Sequence, residues 1–266
     1  MAINTTKIGN LEYLTAAGIL ASHCFTTRLG GVSSGSLESL NISHHRGDVP
    51  ENVERNYQIL ADALHFALDR LVLSHQIHSD IIRTVTRQDH MGLDHHAYPQ
   101  CDALITREPG TALAIFTADC TPILLWDEKT GAVGAIHAGW RGTAQNIAGK
   151  TVAKMVAEFG CQPENIRAAI GPNIGQCCFE AGSEVPQAML DTFGAAVQPH
   201  IRPVGEKFYL DLKKINALAL KNTGVNHVEI STDCTKCNPQ RFWSHRVHGV
   251  SRGSQGAIII CGEGMH

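Results

Sequence analysis

Three short segments each close a predicted strand on a residue able to bind a metal. They are His78 in His75-Gln-Ile-His78, Cys120 in Thr117-Ala-Asp-Cys-Thr-Pro122, and His137 in Ala135-Ile-His-Ala-Gly-Trp-Arg-Gly142. Two imidazoles and one thiolate suit zinc, and three protein ligands leave a fourth position for water or substrate. That is the pattern of a catalytic site, so the chain reads as an enzyme. After His137 the chain runs Gly139-Trp-Arg-Gly142 into a helix. Glycine lets backbone approach a ligand, a helix start offers free N–H groups, and Arg141 adds a fork of donors suited to phosphate. His78 and Cys120 lie 42 residues apart with no local spacing signature. Residue types alone therefore leave ordinary structural roles open for each of the three.

The elements that must carry these residues alternate irregularly. Pro50 with Val53, Tyr57, Leu60, Leu64 and Leu68 predicts a helix capped by Asp48. Leu71 to Ser74 and Asp80 to Thr86 read as short strands around the His75–His78 turn. Thr111 to Thr117, Thr121 to Trp126, Ala132 to His137, Ile166 to Ile170, Val228 to Ser231 and Ala257 to Cys261 are further strands. Helices are predicted over Thr143 to Phe159, Ser183 to Phe193 and Leu212 to Asn222, with Gly160 and Gly224 as stops. No repeat and no linker divides the chain. The expectation is one α/β domain over residues 1–266, with mixed β-sheets and flanking helices.

Charged residues make up 18% of the chain and the formal net charge is −3, with no basic cluster beyond Lys213-Lys214. Neither a nucleic acid nor a membrane surface is expected as partner. Leu14 to Leu20 lacks the flanks of a signal segment and reads as a strand, so the chain is expected to be cytoplasmic. Nine cysteines in no scaffold spacing are expected to be reduced. Cys234-Thr-Lys-Cys237 has metal or redox spacing but no second pair at zinc-ribbon distance and no thioredoxin-like context, so a structural or incidental role is expected. Of the adjacent Cys177 and Cys178, one is expected in the core. Glu180 is expected either to orient a ligand or to cap the next helix.

These motifs, together with Ile170-Gly-Pro-Asn-Ile-Gly175, Phe179-Glu180, Thr26-Thr-Arg-Leu-Gly-Gly-Val-Ser33, Ser39-Leu-Asn-Ile42 and Phe242-Trp-Ser-His-Arg246, resemble the laccase-domain family. That family is also called multicopper polyphenol oxidase-like, and its bacterial members are known as purine nucleoside phosphorylases. The resemblance covers nearly the whole chain. It implies a zinc site of His78, Cys120 and His137 and a domain related to the toxin-type cysteine deamidases. It also implies phosphorolysis of adenosine, inosine, guanosine and methylthioadenosine, with adenosine deamination besides. Many relatives carry an aromatic residue where His245 stands, and a Gly-Arg pair where this chain has Arg252-Gly253. Those departures fall on the pocket wall.

Within that frame Cys120, His137, Asp119 and Arg141 are the expected catalytic residues. Arg28, Asn41 and Arg141 are the expected contacts to nucleoside or phosphate. The nucleobase-deaminase signature His-x-Glu with Pro-Cys-x-x-Cys is absent. Two other chemistries compete. A copper polyphenol oxidase would draw on the fifteen histidines, including His44-His45, His95-His96, His245 and His248, although no His-Cys-His string occurs. A cysteine hydrolase or amidase, acting on a peptidoglycan precursor, would use Cys120 as nucleophile and His137 as base. A structural zinc in an interaction domain, with Cys237 or another cysteine as fourth ligand, is the reading without catalysis.

Overall fold

The computed structural model describes residues 3–94 and 98–262, so the His95-His96 pair lies outside the described residues. The chain opens with β1 (Ile3–Ile8), β2 (Leu11–Ala16) and β3 (His23–Thr26), then α1 (Pro50–Leu64), β4 (Leu71–Val72), β5 (Ile82–Thr84) and β6 (Ala103–Thr106). Three central strands follow: β7 (Ala112–Thr117), β8 (Thr121–Asp127) and β9 (Val133–Ala138). After α2 (Trp140–Ala144) and α3 (Ile147–Phe159) come β10 (Ile166–Ile170), β11 (Glu180–Ala181) and α4 (Glu184–Phe193). The chain closes with β12 (Ile201–Val204), β13 (Lys207–Leu210), α5 (Leu212–Asn222), β14 (His227–Ile230), α6 (His245–His248) and β15 (Gln255–Ile260).

Two six-stranded mixed sheets result, ordered β1-β2-β3-β15-β7-β4 and β14-β10-β8-β9-β6-β5, beside a small β11-β13-β12 sheet. Strand alternation explains how they stack. Leu113 and Ile115 of β7 meet Leu124, Val133 and Ala135 of the second sheet in one apolar layer. Ala112 and Ala114 face Val53, Tyr57 and Leu60 of α1 on the other side. Ile123 and Leu125 face Val152 and Met155 of α3 and Leu220 of α5. The layers run helix, sheet, sheet, helix: a single-domain α/β fold with mixed sheets. Strands covered on both faces must be apolar throughout, which is why the central ones are continuous runs. No helix among the described residues is long and apolar enough to cross a membrane.

Two local expectations change. Asp48 does not cap α1, because its carboxylate accepts from Ser33 Oγ (2.7 Å) and Asn41 Nδ2 (2.8 Å) while Val49 takes the cap position. The single helix expected from Thr143 is two helices. Asn146 adopts a left-handed φ of 59° and its side chain accepts from Gly149 N, starting α3 afresh.

Candidate active site

Register alone gathers the central residues. β8 and β9 pair antiparallel with Thr121 opposite Ala138, so Cys120, one residue before β8, sits beside the end of β9. β6 pairs with β9 so that Ala103 faces Ile136, placing Asp102 beside His137, whose N–H donates to the Asp102 carbonyl (2.7 Å). Residues 118–120 are also where the chain crosses from the first sheet to the second. His78 arrives from the loop between β4 and β5.

The donor atoms of His78, Cys120 and His137 all lie within 4.8 Å of one another. Cys120 Sγ is 3.9 Å from His78 Nε2, and the two imidazoles meet edge to face at 4.9 Å between centroids. A Cβ on Gly139 would stand 3.3 Å from Cys120 Sγ and 3.0 Å from His78 Cδ2, so glycine leaves the three donors room to close on one ion. Soft thiolate with two imidazoles suits a metal of the zinc or copper kind.

Asp102 organises this cluster, and sequence reasoning missed it. Wholly buried, its carboxylate accepts from His137 Nδ1 (2.8 Å), His78 N (3.1 Å), Ile77 N (3.2 Å), Ser79 N (2.7 Å) and Ser79 Oγ (2.7 Å). An ionised carboxylate only accepts, so His137 carries its proton on Nδ1 and turns Nε2 to the site, as metal-bound imidazoles usually do. Burial opposes ionisation of Asp102, but the bonds from His137 and Ser79 hold it down to about 2.

Charge follows the same geometry. Burial resists ionisation of Cys120, yet the His137 charge and hydrogen bonds from His137 and His78 outweigh it and bring the thiol down to about 6. Burial likewise resists charging His137; the Cys120 thiolate and Asp102 prevail and raise it to about 9. Without metal, thiolate and imidazolium therefore stand together at neutral pH.

The cleft around this centre has two lobes sharing His78, Ala118, Cys120 and Arg252. One, of about 270 Å³, is the more polar of the two and is walled by Arg46, His75, Gln76, Phe116 and Ser254. The other, of about 310 Å³, is walled by Trp140, Ile174, Phe179, Leu212, His245 and Arg246. In the polar lobe Arg46 Nε and Arg252 Nε are both buried with no hydrogen-bond partner. Burial first, then the neighbouring Arg46 charge, pull Arg252 down to about 10. Two guanidiniums lining one cavity give it a positive wall of a kind that suits an oxyanion.

The expected residues divide. Asp119 lines the apolar lobe at a left-handed φ of 88°, its carboxylate taken by Thr235 Oγ1 (2.6 Å) and Arg246 N (2.8 Å). Arg141 is exposed, stacked 4.4 Å over the Trp140 ring, and lines neither lobe. Arg28 lies 3.8 Å over Trp243 and donates to the carbonyls of Pro239 and Glu38, away from both lobes. Asn41 is wholly buried, bonding Ser43 O, Asp48 and Ser254 N, and so supports the wall from behind. Glu180 neither caps α4, whose cap is Ser183, nor reaches the centre; it accepts from Tyr209 Oη (2.8 Å).

Comparison with known proteins agrees with this architecture. The family model for multi-copper polyphenol oxidoreductase laccase matches residues 22–262. The purine nucleoside phosphorylase YlmD of Geobacillus stearothermophilus is 38% identical over 249 residues, covering 91% of this chain and 89% of that protein. A purine nucleoside phosphorylase of Bacteroides thetaiotaomicron is 37% identical over 242 residues, covering 87% and 88%. The crystal structure of Geobacillus YlmD superposes with a TM-score of 0.91 at 35% identity, over 97% of this chain and 99% of that one. The Bacillus licheniformis protein YfiH gives 0.90 at 30%, over 96% and 98%.

Proposed function

Because the chain belongs to the multi-copper polyphenol oxidoreductase laccase family, with relatives named purine nucleoside phosphorylases, we propose that it cleaves purine nucleosides with phosphate. The observation that carries the reading is a cleft in which the guanidiniums of Arg46 and Arg252 line one lobe while an aromatic-walled lobe opens on the other side of His78 and Cys120. Phosphate fits the arginine lobe. A purine fits between Trp140, Phe179, Ile174 and Leu212. The ribose then lies at the neck, with C1′ between its two reaction partners.

Phosphorolysis forms a bond from a phosphate oxygen to C1′ as the bond to the purine nitrogen breaks. Arg46 and Arg252 hold the nucleophile in line, and His245 is placed to hand the departing base a proton. Asp119, with both carboxylate oxygens occupied, shapes the neck between the lobes. Zinc held by His78, Cys120 and His137 would supply a Lewis acid and a water of lowered pKa. We include adenosine, inosine, guanosine and methylthioadenosine as substrates, and deamination of adenosine at C6. The proposed molecule is one domain over residues 1–266, cytoplasmic, with nucleoside and phosphate as its partners.

The test is turnover of each nucleoside by metal-replete protein with and without phosphate, following free base, ribose 1-phosphate and inosine. Phosphate-dependent base release with stoichiometric ribose 1-phosphate supports the reading; base release independent of phosphate overturns it.

One observation favours a second reading. Cys120, His137 and Asp102 form a charged nucleophile, base and orienting carboxylate in sequence, which is the constellation of a thiol hydrolase. Activity that survives chelation and is abolished by iodoacetamide would select it. The copper oxidase reading draws less support: among the described residues the groups able to hold a metal are the His78, Cys120 and His137 centre and one cluster of cysteines. Neither offers the several further histidine-bound coppers that such oxidation needs.

A further inference from the structure

Four cysteines gather outside the His78, Cys120 and His137 centre and line neither lobe of the cleft, so the proposed reaction does not use them. Cys177 and Cys178 lie in the turn after β10, and Cys234 and Cys237 in the loop after β14. Their topology explains the meeting. β10 and β14 are parallel neighbours, so the two loops leave the same sheet edge side by side. An Asn173–Cys234 bridge extends the ladder past the strand ends, with Thr235 N donating to Asn173 O (3.0 Å).

All four sulfurs lie within 4.8 Å of one another, with Cys178–Cys237 at 3.4 Å and Cys177–Cys237 at 3.7 Å. Four sulfurs bound tetrahedrally at about 2.3 Å from zinc would stand about 3.8 Å apart. The cluster is thus near the spacing an ion would impose, and well beyond the roughly 2.05 Å of a disulfide. Expectation had one of Cys177 and Cys178 in the core. Instead Cys177 and Cys237 are exposed, Cys178 is half-buried and Cys234 is buried. Hydrophobic burial does not account for exposed thiols converging on one point.

We propose that Cys177, Cys178, Cys234 and Cys237 form a second, structural metal site of the zinc class, separate from the His78, Cys120 and His137 centre. The surroundings match that use. Gly175 N donates to Cys234 Sγ at 3.2 Å, the N–H to sulfur bond that steadies a bound thiolate. A side chain at Gly175 would crowd the cluster: a Cβ would meet Cys177 Sγ and Cys234 Cβ, each at 3.2 Å. Four thiolates around a divalent ion keep net negative charge. Buried Lys213, anchored by Asp233 O (2.8 Å), lies within electrostatic range of Cys177 and Cys234. The ion would tie together the loops carrying Ile174, Phe179 and Thr235, the last being the residue that holds Asp119.

The test uses the full chain, stripped of metal under reductant and titrated with zinc without oxygen. Two ions per chain are expected. Cys237→Ser should retain one, and His78→Ala should retain the other. A Cys237→Ser protein that holds as many ions as the wild type, or a His78→Ala protein that holds none, overturns the site. Should Cys237→Ser fail to fold, wild-type protein decides through iodoacetamide labelling mapped on peptides. Exposed Cys177 and Cys237 must be protected when zinc is present and labelled after chelation. Equal labelling in both states, or a Cys177–Cys237 or Cys178–Cys237 disulfide in protein isolated reduced, also refutes it.

Discussion

Replacing Asp102 by Asn removes one charge and almost no volume, so its consequences isolate what the carboxylate does. Its two oxygens split their work: Oδ1 accepts from His78 N and His137 Nδ1, Oδ2 from Ile77 N, Ser79 N and Ser79 Oγ. An amide can satisfy one side only; its NH2 must face donors on the other. If it faces Ser79, unmatched buried donors cost about 1–3 kcal/mol. If it faces His137 and His78, the imidazole can move its proton from Nδ1 to Nε2, the nitrogen turned to Cys120, but the His78 N–H loses its acceptor. Either outcome damages the centre. Loss of such an orienting partner typically weakens metal binding 10–100-fold, about 1.4–2.7 kcal/mol.

Charge adds a pH signature. Asp102 is held near 2, below its ordinary 3.8. Its ionisation thus contributes about 2 kcal/mol to folding at neutral pH, present above about pH 4 and lost as pH falls through about 2. The Asn variant should lack this acid-sensitive portion. The assay is zinc competition against a chromophoric chelator, with urea unfolding of the metal-free protein from pH 2 to 7. Ser79→Ala, which removes a single neutral donor, is the control and should change affinity far less. An Asn variant binding zinc within about twofold of wild type, on an unchanged acid-unfolding curve, refutes the role given to Asp102.

In metal-free protein Cys120 should alkylate with an inflection near pH 6; an inflection near 9 contradicts the thiolate–imidazolium pair. The sign is set by both partners. Ionised Cys120 contributes stability above about 9 that is lost as pH falls through about 6. Protonated His137 contributes below about 6.5 and is lost as pH rises through about 9, so the intact pair spans about 6 to 9. Allowing for the weaker nucleophilicity of a low-pKa thiolate, its rate at pH 5 should exceed that of an ordinary thiol by about 30–60-fold, measured by peptide mass spectrometry. Gly139→Ala should lower zinc affinity at least tenfold with little change in unfolding midpoint, since its Cβ would press on Cys120 Sγ and His78; unchanged affinity in the same chelator assay counts against that packing. Arg252→Ala and Arg46→Ala should each raise the KM for phosphate about tenfold or more, by 1.5–3 kcal/mol for a charged hydrogen bond, while zinc content holds; steady-state kinetics with varied phosphate decides.

The strands were readable where burial is two-sided. β7, β8, β9 and β10 fall within a residue or so of their apolar runs, because both faces press on other layers. β1 escaped notice, its residues half-buried or exposed on both faces and mostly polar. β6 is four residues long, and nothing local marks Asp102 just before it as more than a turn residue. Arg46 and Arg252 sit in unremarkable polar stretches and gain meaning only by facing each other. The cysteines show the same limit: Cys177 and Cys237 are 60 residues apart, and only the parallel pairing of β10 with β14 makes them neighbours. Residue type and strand ends are local properties; register between distant strands is not.

That register also explains why the centre sits on strained backbone. His78 (φ 61°) and Asp119 (φ 88°) are two of four non-glycine residues with left-handed φ among the described residues, and they flank Cys120. Such conformations cost about 1–3 kcal/mol each and persist only where surroundings over-determine them. At His78 the determinant is Asp102, which binds three consecutive backbone N–H groups of the loop, Ile77, His78 and Ser79. At Asp119 it is Ile174 N on the carbonyl, with Thr235 and Arg246 on the carboxylate. Ile174 and Thr235 belong to the two loops joined at the cysteine cluster. A glycine at position 119 would relax the backbone yet lose both side-chain bonds, leaving only the Ile174 N–H on its carbonyl to hold the sheet-to-sheet crossing. Strain at the crossing is therefore the cost of aiming Cys120 into the cleft, and the contacts that offset it run without a gap from the centre to the thiol-rich edge of the sheet.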